Sequence, residues 1–189
     1  MARAAWAFLA LMAIGFAAGL LRPESTFPLM ERFSLAAAEA GMYELDSGAL
    51  MLTLLVTNLL TCLLAIAVGL VPFLRLTALF LGMNALLLGA FAAWYAQSGP
   101  GLAAYLAGTA PHGLTELSAL TLCCGAGLYL CDCVTLRMLG RESGPTAASA
   151  LGRCLRLFLR YAAPLLALSA LLEAYVTPRL FALFYTAPP

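Results

Sequence analysis

Between residues 49 and 95 the only charged side chain is Arg75. A helix of about 20 apolar residues matches the roughly 30 Å hydrocarbon core of a bilayer. Residues 49–70 and 76–95 supply two such stretches, joined by a tight connection at residues 72–75. The rest of the chain must therefore fit around membrane-embedded helices. Its composition agrees: 63% of the 189 residues are hydrophobic, 10% are charged, and mean hydropathy is +0.96. Water-facing domains carry roughly a quarter charged residues, so no soluble domain can be cut from this chain.

The same composition excludes several chemistries. Formal net charge is +1, which leaves no electrostatic footprint for nucleic acid. The basic residues are all arginine, so Schiff-base and phosphate-loop lysine chemistry is absent. The cysteines, Cys62, Cys123, Cys124, Cys131, Cys133 and Cys154, form no CxxC pair and lie in or beside apolar runs. They read as small apolar packers rather than a disulfide framework or a zinc knuckle. No cofactor and no metal is expected.

The pattern predicts an all-α polytopic bundle in a single integral membrane domain, with about five spans plus interfacial helices. The spans fall near residues 4–21, 49–70, 76–95, 114–136 and 161–176. A signal peptide is the competing reading of the first, although its apolar core is long for one. Residues 22–48 are acidic, and Leu29 and Phe33 recur there at helical spacing between Pro28 and Gly41. That suits a short helix in the headgroup layer or a plain connecting loop. Residues 102–107 are apolar but too short to cross, and with the turn at 109–113 they read as a re-entrant or interfacial segment. Arg153, Arg156 and Arg160 share one helix face, a stripe suited to lipid headgroups. Gly69, Gly82 and Gly89, with Ala65 and Ala85, mark close helix packing.

Arginine placement sets the expected orientation. An N-terminus in the cytoplasm puts Arg3, Arg75, Arg137, Arg141, Arg153, Arg156 and Arg160 inside and only Arg22, Arg32 and Arg179 outside. In this topology Glu116, at the start of the fourth span, and Glu173, near the end of the fifth, share an outer depth. Asn58 and Asn84 lie near mid-membrane. His112, the only histidine, is four residues before Glu116 and shares its helix face if a helix begins by Pro111. Intramembrane ionisable groups cost about 2.5–3.5 kcal/mol at a helix centre and usually face the bundle interior. One reading of His112, Glu116 and Glu173 is a protonatable or cation-binding outer-leaflet site. The other is structural: Glu116 favoured by the helix dipole in a first turn, His112 at headgroup level, and Glu173 as a hydrogen bond between helices. An intramembrane metal-dependent hydrolase is a third reading, but no HExxH is present. Asp132 and Arg137 read as solvated charges at the inner boundary.

Three stretches carry a family resemblance. The first is T-N-L-L-T-C-L-L-A-I-A-V-G-L at 57–70 with L-G-M-N-A-L-L-L-G-A at 81–90. The second is A-P-H-G-L-T-E-L-S-A at 110–119, and the third is L-L-E-A-Y-V-T-P at 171–178. Together they resemble the stage II sporulation protein M family of bacterial membrane proteins. The matching positions are Asn58, Asn84, Gly89, Pro111, His112, Gly113, Glu116, Glu173, Thr177 and Pro178. The resemblance implies an all-helical inner-membrane protein of a family that scaffolds cell-wall hydrolases during engulfment in spore formers. The leading expectation is thus a non-catalytic scaffold in envelope or peptidoglycan remodelling, its partners being the bilayer, membrane or envelope proteins and a second copy of itself. The alternative is a small oligomeric transporter or flippase using the outer-leaflet His/Glu site.

Overall fold

The computed structural model describes residues 2–42, 44–97, 101–141 and 144–184. Its elements are α1 (Ala2–Leu21), α2 (Pro23–Glu39), α3 (Ser47–Ala67), α4 (Leu76–Gln97), α5 (Gly101–Met138), α6 (Ala147–Leu157), α7 (Ala163–Tyr175) and α8 (Thr177–Phe184). A 3-10 turn at Val68–Leu70 ends α3, and a π-helical turn at Phe158–Ala162 joins α6 to α7 without a break. No strand occurs among the described residues. Four runs are long and apolar enough to cross a membrane: Ser47–Leu70, Leu76–Gln97, Gly101–Met138 and Ala147–Tyr175. A fifth is counted if α1 and α2, bent by 109° at their junction, act as one broken span. The fold is an all-α membrane bundle, as the apolar runs require.

Several boundaries differ from the sequence expectation. Residues 101–113 form neither a turn nor a re-entrant segment, because α5 continues through Pro111 for 38 residues. At 1.5 Å per residue that is about 57 Å, nearly twice the hydrocarbon thickness. Proline is tolerated inside a membrane helix when neighbouring groups satisfy the freed backbone. The last long helix begins at Ala147 rather than near 161, so the arginine stripe rides on it. Its start is set by Thr146, whose side chain accepts a hydrogen bond from Ser149 N at 3.1 Å. Thr146→Ala should cost about 1 kcal/mol, the usual value of an N-cap, measurable by thermal unfolding in detergent. The acidic stretch holds a 17-residue helix from Pro23 with Pro28 inside it. The breaks at 98–100 and 142–143 and the tail from 185 lie outside the described residues.

The chain divides into two compact units, and α3, α4, α5 and α7 each continue from one into the other. The first comprises the described residues of Met1–Leu52, Gly82–Pro111 and Leu171–Pro189. Within it α1 and α4 run parallel and very close. A Cβ on Gly15 would strike the Leu86 carbonyl, and one on Gly89 would strike the Met12 carbonyl. Gln97 Nε2 donates to Gly19 O at 3.3 Å at the end of this seam. An aromatic chain follows: Phe33–Phe91, Phe91–Trp94, Trp94–Tyr95, then Tyr95 against both Tyr105 and Phe181, with centroids 5.2–6.3 Å apart. Tyr105 Oη donates to Leu88 O at 2.9 Å. Trp and Tyr gather at membrane–water boundaries because their rings are apolar and their tips polar.

The second unit comprises Thr53–Leu81 and the described residues of His112–Ala170. Its core holds Cys62, Ala65, Ile66, Ala119, Leu120, Cys123, Cys124, Leu130, Cys154, Phe158, Ala162 and Leu166. All six cysteines are free thiols, and each except the half-buried Cys133 is buried, consistent with use as small packing residues. Gly69 and Gly127 bring α3 and α5 together: a Cβ on Gly69 would strike the Gly127 backbone. Thr77, fully buried, donates to Ala65 O at 3.3 Å. The α3–α4 connection is tight enough to force positive φ at Phe73 (67°) and Arg75 (44°). Phe73 N donates to Thr135 Oγ1 at 2.9 Å, and Arg75 pairs with Asp132 at 2.8 Å. Asp132 thus meets an arginine from the preceding connection.

Candidate functional site

The site grows from the turn after Pro111. Proline has no N–H, so α5 loses the bond that would reach back to Ala107 O. Hydroxyls crowd the following turns. Thr115 Oγ1 donates to His112 O at 2.7 Å, and Ser118 Oγ donates to Leu114 O at 2.7 Å. From α7, the fully buried Ser169 donates its Oγ to the same His112 carbonyl at 3.2 Å. One backbone oxygen therefore anchors a second helix on α5.

His112 and Glu116, one turn apart and half-buried, share a face of α5. A ring nitrogen of His112 and a carboxylate oxygen of Glu116 lie within 4.8 Å of each other, close enough to hold one metal ion. The dipole account of Glu116 does not survive. Its helix begins at Gly101, so Glu116 stands about 22 Å from the N-terminus, and the dipole acts only over the first turn. His112 is likewise inside a helix, not in a Pro-Gly turn at headgroup level, and Gly113 beside it is buried.

Glu173 is half-buried on α7, one turn beyond Ser169 and on the same face. Asn58 on α3 and Asn84 on α4 are also half-buried. Thr177 and Pro178 begin α8, where the missing proline N–H costs nothing because first-turn donors have no intrahelical partner. Within the first unit α8 lies over the start of α5: a Cβ on Gly108 would sit 3.1 Å from the Phe181 ring.

Arg153, Arg156 and Arg160 are all exposed. Arg153 Nη1 donates to Tyr129 Oη at 3.2 Å, and the Arg160 guanidinium lies 5.6 Å from the Tyr161 ring centroid. Such stacking holds a cation at the boundary while leaving its donors for headgroup oxygens. Sequence reasoning passed over Ser169, although a serine within the apolar run 161–176, four residues before Glu173, was a legible signal. It also passed over Tyr129 and the Arg75–Asp132 pair, for which spacing holds no clue.

A family model described as stage II sporulation protein M matches residues 4–178. The match takes in α1 and α2 as well as every stretch that carried the resemblance. No curated protein and no solved structure matches the chain. Since the match covers nearly the whole described chain, this membrane protein belongs to the stage II sporulation protein M family.

Proposed function

We propose that the protein is a non-catalytic scaffold of the bacterial cytoplasmic membrane, holding partners in cell-envelope or peptidoglycan remodelling. The family match carries this reading. It is supported by how the polar groups within the packed helices are used. Tyr105 to Leu88 O, Thr77 to Ala65 O and Ser169 to His112 O all tie one helix to another. Arginine placement favours a multi-pass arrangement with the N-terminus in the cytoplasm.

A scaffold meets its partners within the bilayer or at the headgroups. The double change Glu116→Gln with Glu173→Gln should therefore weaken association with membrane-embedded partners or the protein's own stability. The measurement is in-cell crosslinking followed by co-purification from membranes, with a monodispersity check on the purified variant. A variant that keeps its complexes intact yet abolishes an ion- or proton-coupled flux in proteoliposomes would replace the scaffold by a transporter.

A further inference from the structure

We infer that the groove along Arg153, Arg156 and Arg160 is a binding site for one anionic phospholipid carrying two phosphates, of the diphosphatidylglycerol class. The inference goes beyond the scaffold reading and does not depend on it. Every residue it uses belongs to the second unit.

The depth is right for phosphate. The helical run Ala147–Tyr175 has 29 residues, about 43 Å at 1.5 Å per residue, against roughly 30 Å of hydrocarbon. Its surplus must stand in a headgroup layer, and the arginines lie on that surplus. Counting roughly 20 residues back from Tyr175 puts the hydrocarbon edge at about Arg156. Arg160, one turn deeper and in the π-helical turn, reaches the same level by extending its side chain outward.

Charge points to a ligand that is not protein. No acidic residue occurs from 143 to 170, and none of the three arginines meets a carboxylate among the described residues. On α5, Asp132 is already held by Arg75 at 2.8 Å. Glu116 lies about 20 Å back along α5 from Tyr129, the level of Arg153. Phosphate oxygens are the counter-charge a bilayer supplies at this depth, and the guanidinium fork binds them in pairs.

The surface also has an apolar side. Arg156 and Arg160 line one open groove of about 520 Å³ with Leu157, Leu159 and Tyr161. Leu159 is 67% exposed and Tyr161 52%, so acyl chains have a wall directly beside the cations. Arg156 Nη1 would stand only 3.7 Å from a Cβ built on Gly152, which places its guanidinium back toward Arg153. From Arg153 to Arg160 the row extends about 10 Å along the helix. One phosphodiester neutralises a single charge at one point of that row. Two phosphates joined by a glycerol answer more of its length in one binding event.

The test uses full-length protein, delipidated by prolonged detergent washing and titrated with phosphatidylcholine mixed micelles. The micelles carry either diphosphatidylglycerol or phosphatidylglycerol at equal phosphate, and bound lipid is counted by native mass spectrometry. Wild type should take up about one diphosphatidylglycerol per chain, more tightly than phosphatidylglycerol. At about 1 kcal/mol per arginine, Arg156→Gln with Arg160→Gln should weaken binding roughly 30-fold. Arg156→Lys with Arg160→Lys should recover part of that loss, because charge returns without the bidentate fork. Arg32→Gln, exposed on α2, should bind as wild type does. Equal affinity for the two anionic lipids overturns the two-phosphate assignment. Absence of saturable lipid binding by monodisperse wild type overturns the site, and poly-glutamate binding in its place would reassign the groove to an acidic protein. Wild-type affinity in the monodisperse double glutamine variant overturns its location. Lipid binding would stand even if partner crosslinking failed, so the two readings fail separately.

Discussion

Gly127→Leu is expected to remove most of the folded protein. A side chain there has no room to grow: its Cβ would strike Ala65 O and approach Thr77 Oγ1 to 2.9 Å and Thr77 Cγ2 to 3.0 Å. The opposing atoms are backbone and a fully buried threonine, not the far end of a flexible side chain that could swing aside. Overpacking typically costs about 1–3 kcal/mol where side chains can adjust, so a backbone clash should exceed that range. Close backbone approach is also the main source of helix association in lipid, where helices gain no hydrophobic free energy by meeting. Gly125 provides the control, since nothing lies within 4 Å of a Cβ built on it. Gly125→Leu should be neutral or gain up to about 1 kcal/mol in helix propensity. Thermal stability of the two purified variants, followed by the monodisperse fraction, separates them. Equal stability of the two would mean that α3 and α5 do not cross at Gly127.

Leu166→Ala is the second large effect, expected at about 2 kcal/mol, the low end of the soluble Leu→Ala range of about 2–5 kcal/mol. Leu166 is 0% exposed within the core of the second unit. In a water-soluble protein its loss would carry both a transfer and a cavity contribution. In a bilayer the unfolded helix still sits in hydrocarbon, so the transfer part nearly vanishes and lost dispersion contacts remain. Leu168, 46% exposed on the same helix, faces outward, and Leu168→Ala should change stability by less than about 0.5 kcal/mol. Reversible unfolding in bicelles measures both. A Leu168→Ala cost as large as that of Leu166→Ala would contradict the burial pattern of this helix.

The glycines of the two helix seams differ in how visible they were. Gly69 and Gly89 stood out because each interrupts a leucine-rich run where nothing else calls for glycine. Gly127 sits among Cys123, Cys124, Gly125 and Ala126, and spacing alone cannot say which small residue faces a neighbour. Gly82 was marked with the others, yet its Cβ would meet only Leu11 Cδ1 at 3.4 Å, an ordinary contact. Pro111 misled for a related reason. Proline marks a helix boundary in water, where a freed carbonyl turns to solvent. In a bilayer the helix can run on through it, as α5 does past Pro111.

The sequence by itself determined the solvent and the class of fold. Apolar runs near 20 residues with so few charges can only be membrane helices, because an unsatisfied backbone cannot remain in hydrocarbon. It also marked His112, Glu116 and Glu173, since ionisable groups are costly in such runs. Only the tertiary structure decided that α5 passes unbroken through Pro111, which moved Glu116 out of a first turn and removed the dipole account. Only it supplied the antiparallel register in which Ser169 meets the His112 carbonyl. Register is a relation between helices far apart in the chain, set by which small residues let backbones touch. A periodic pattern within one helix carries no information about its partner.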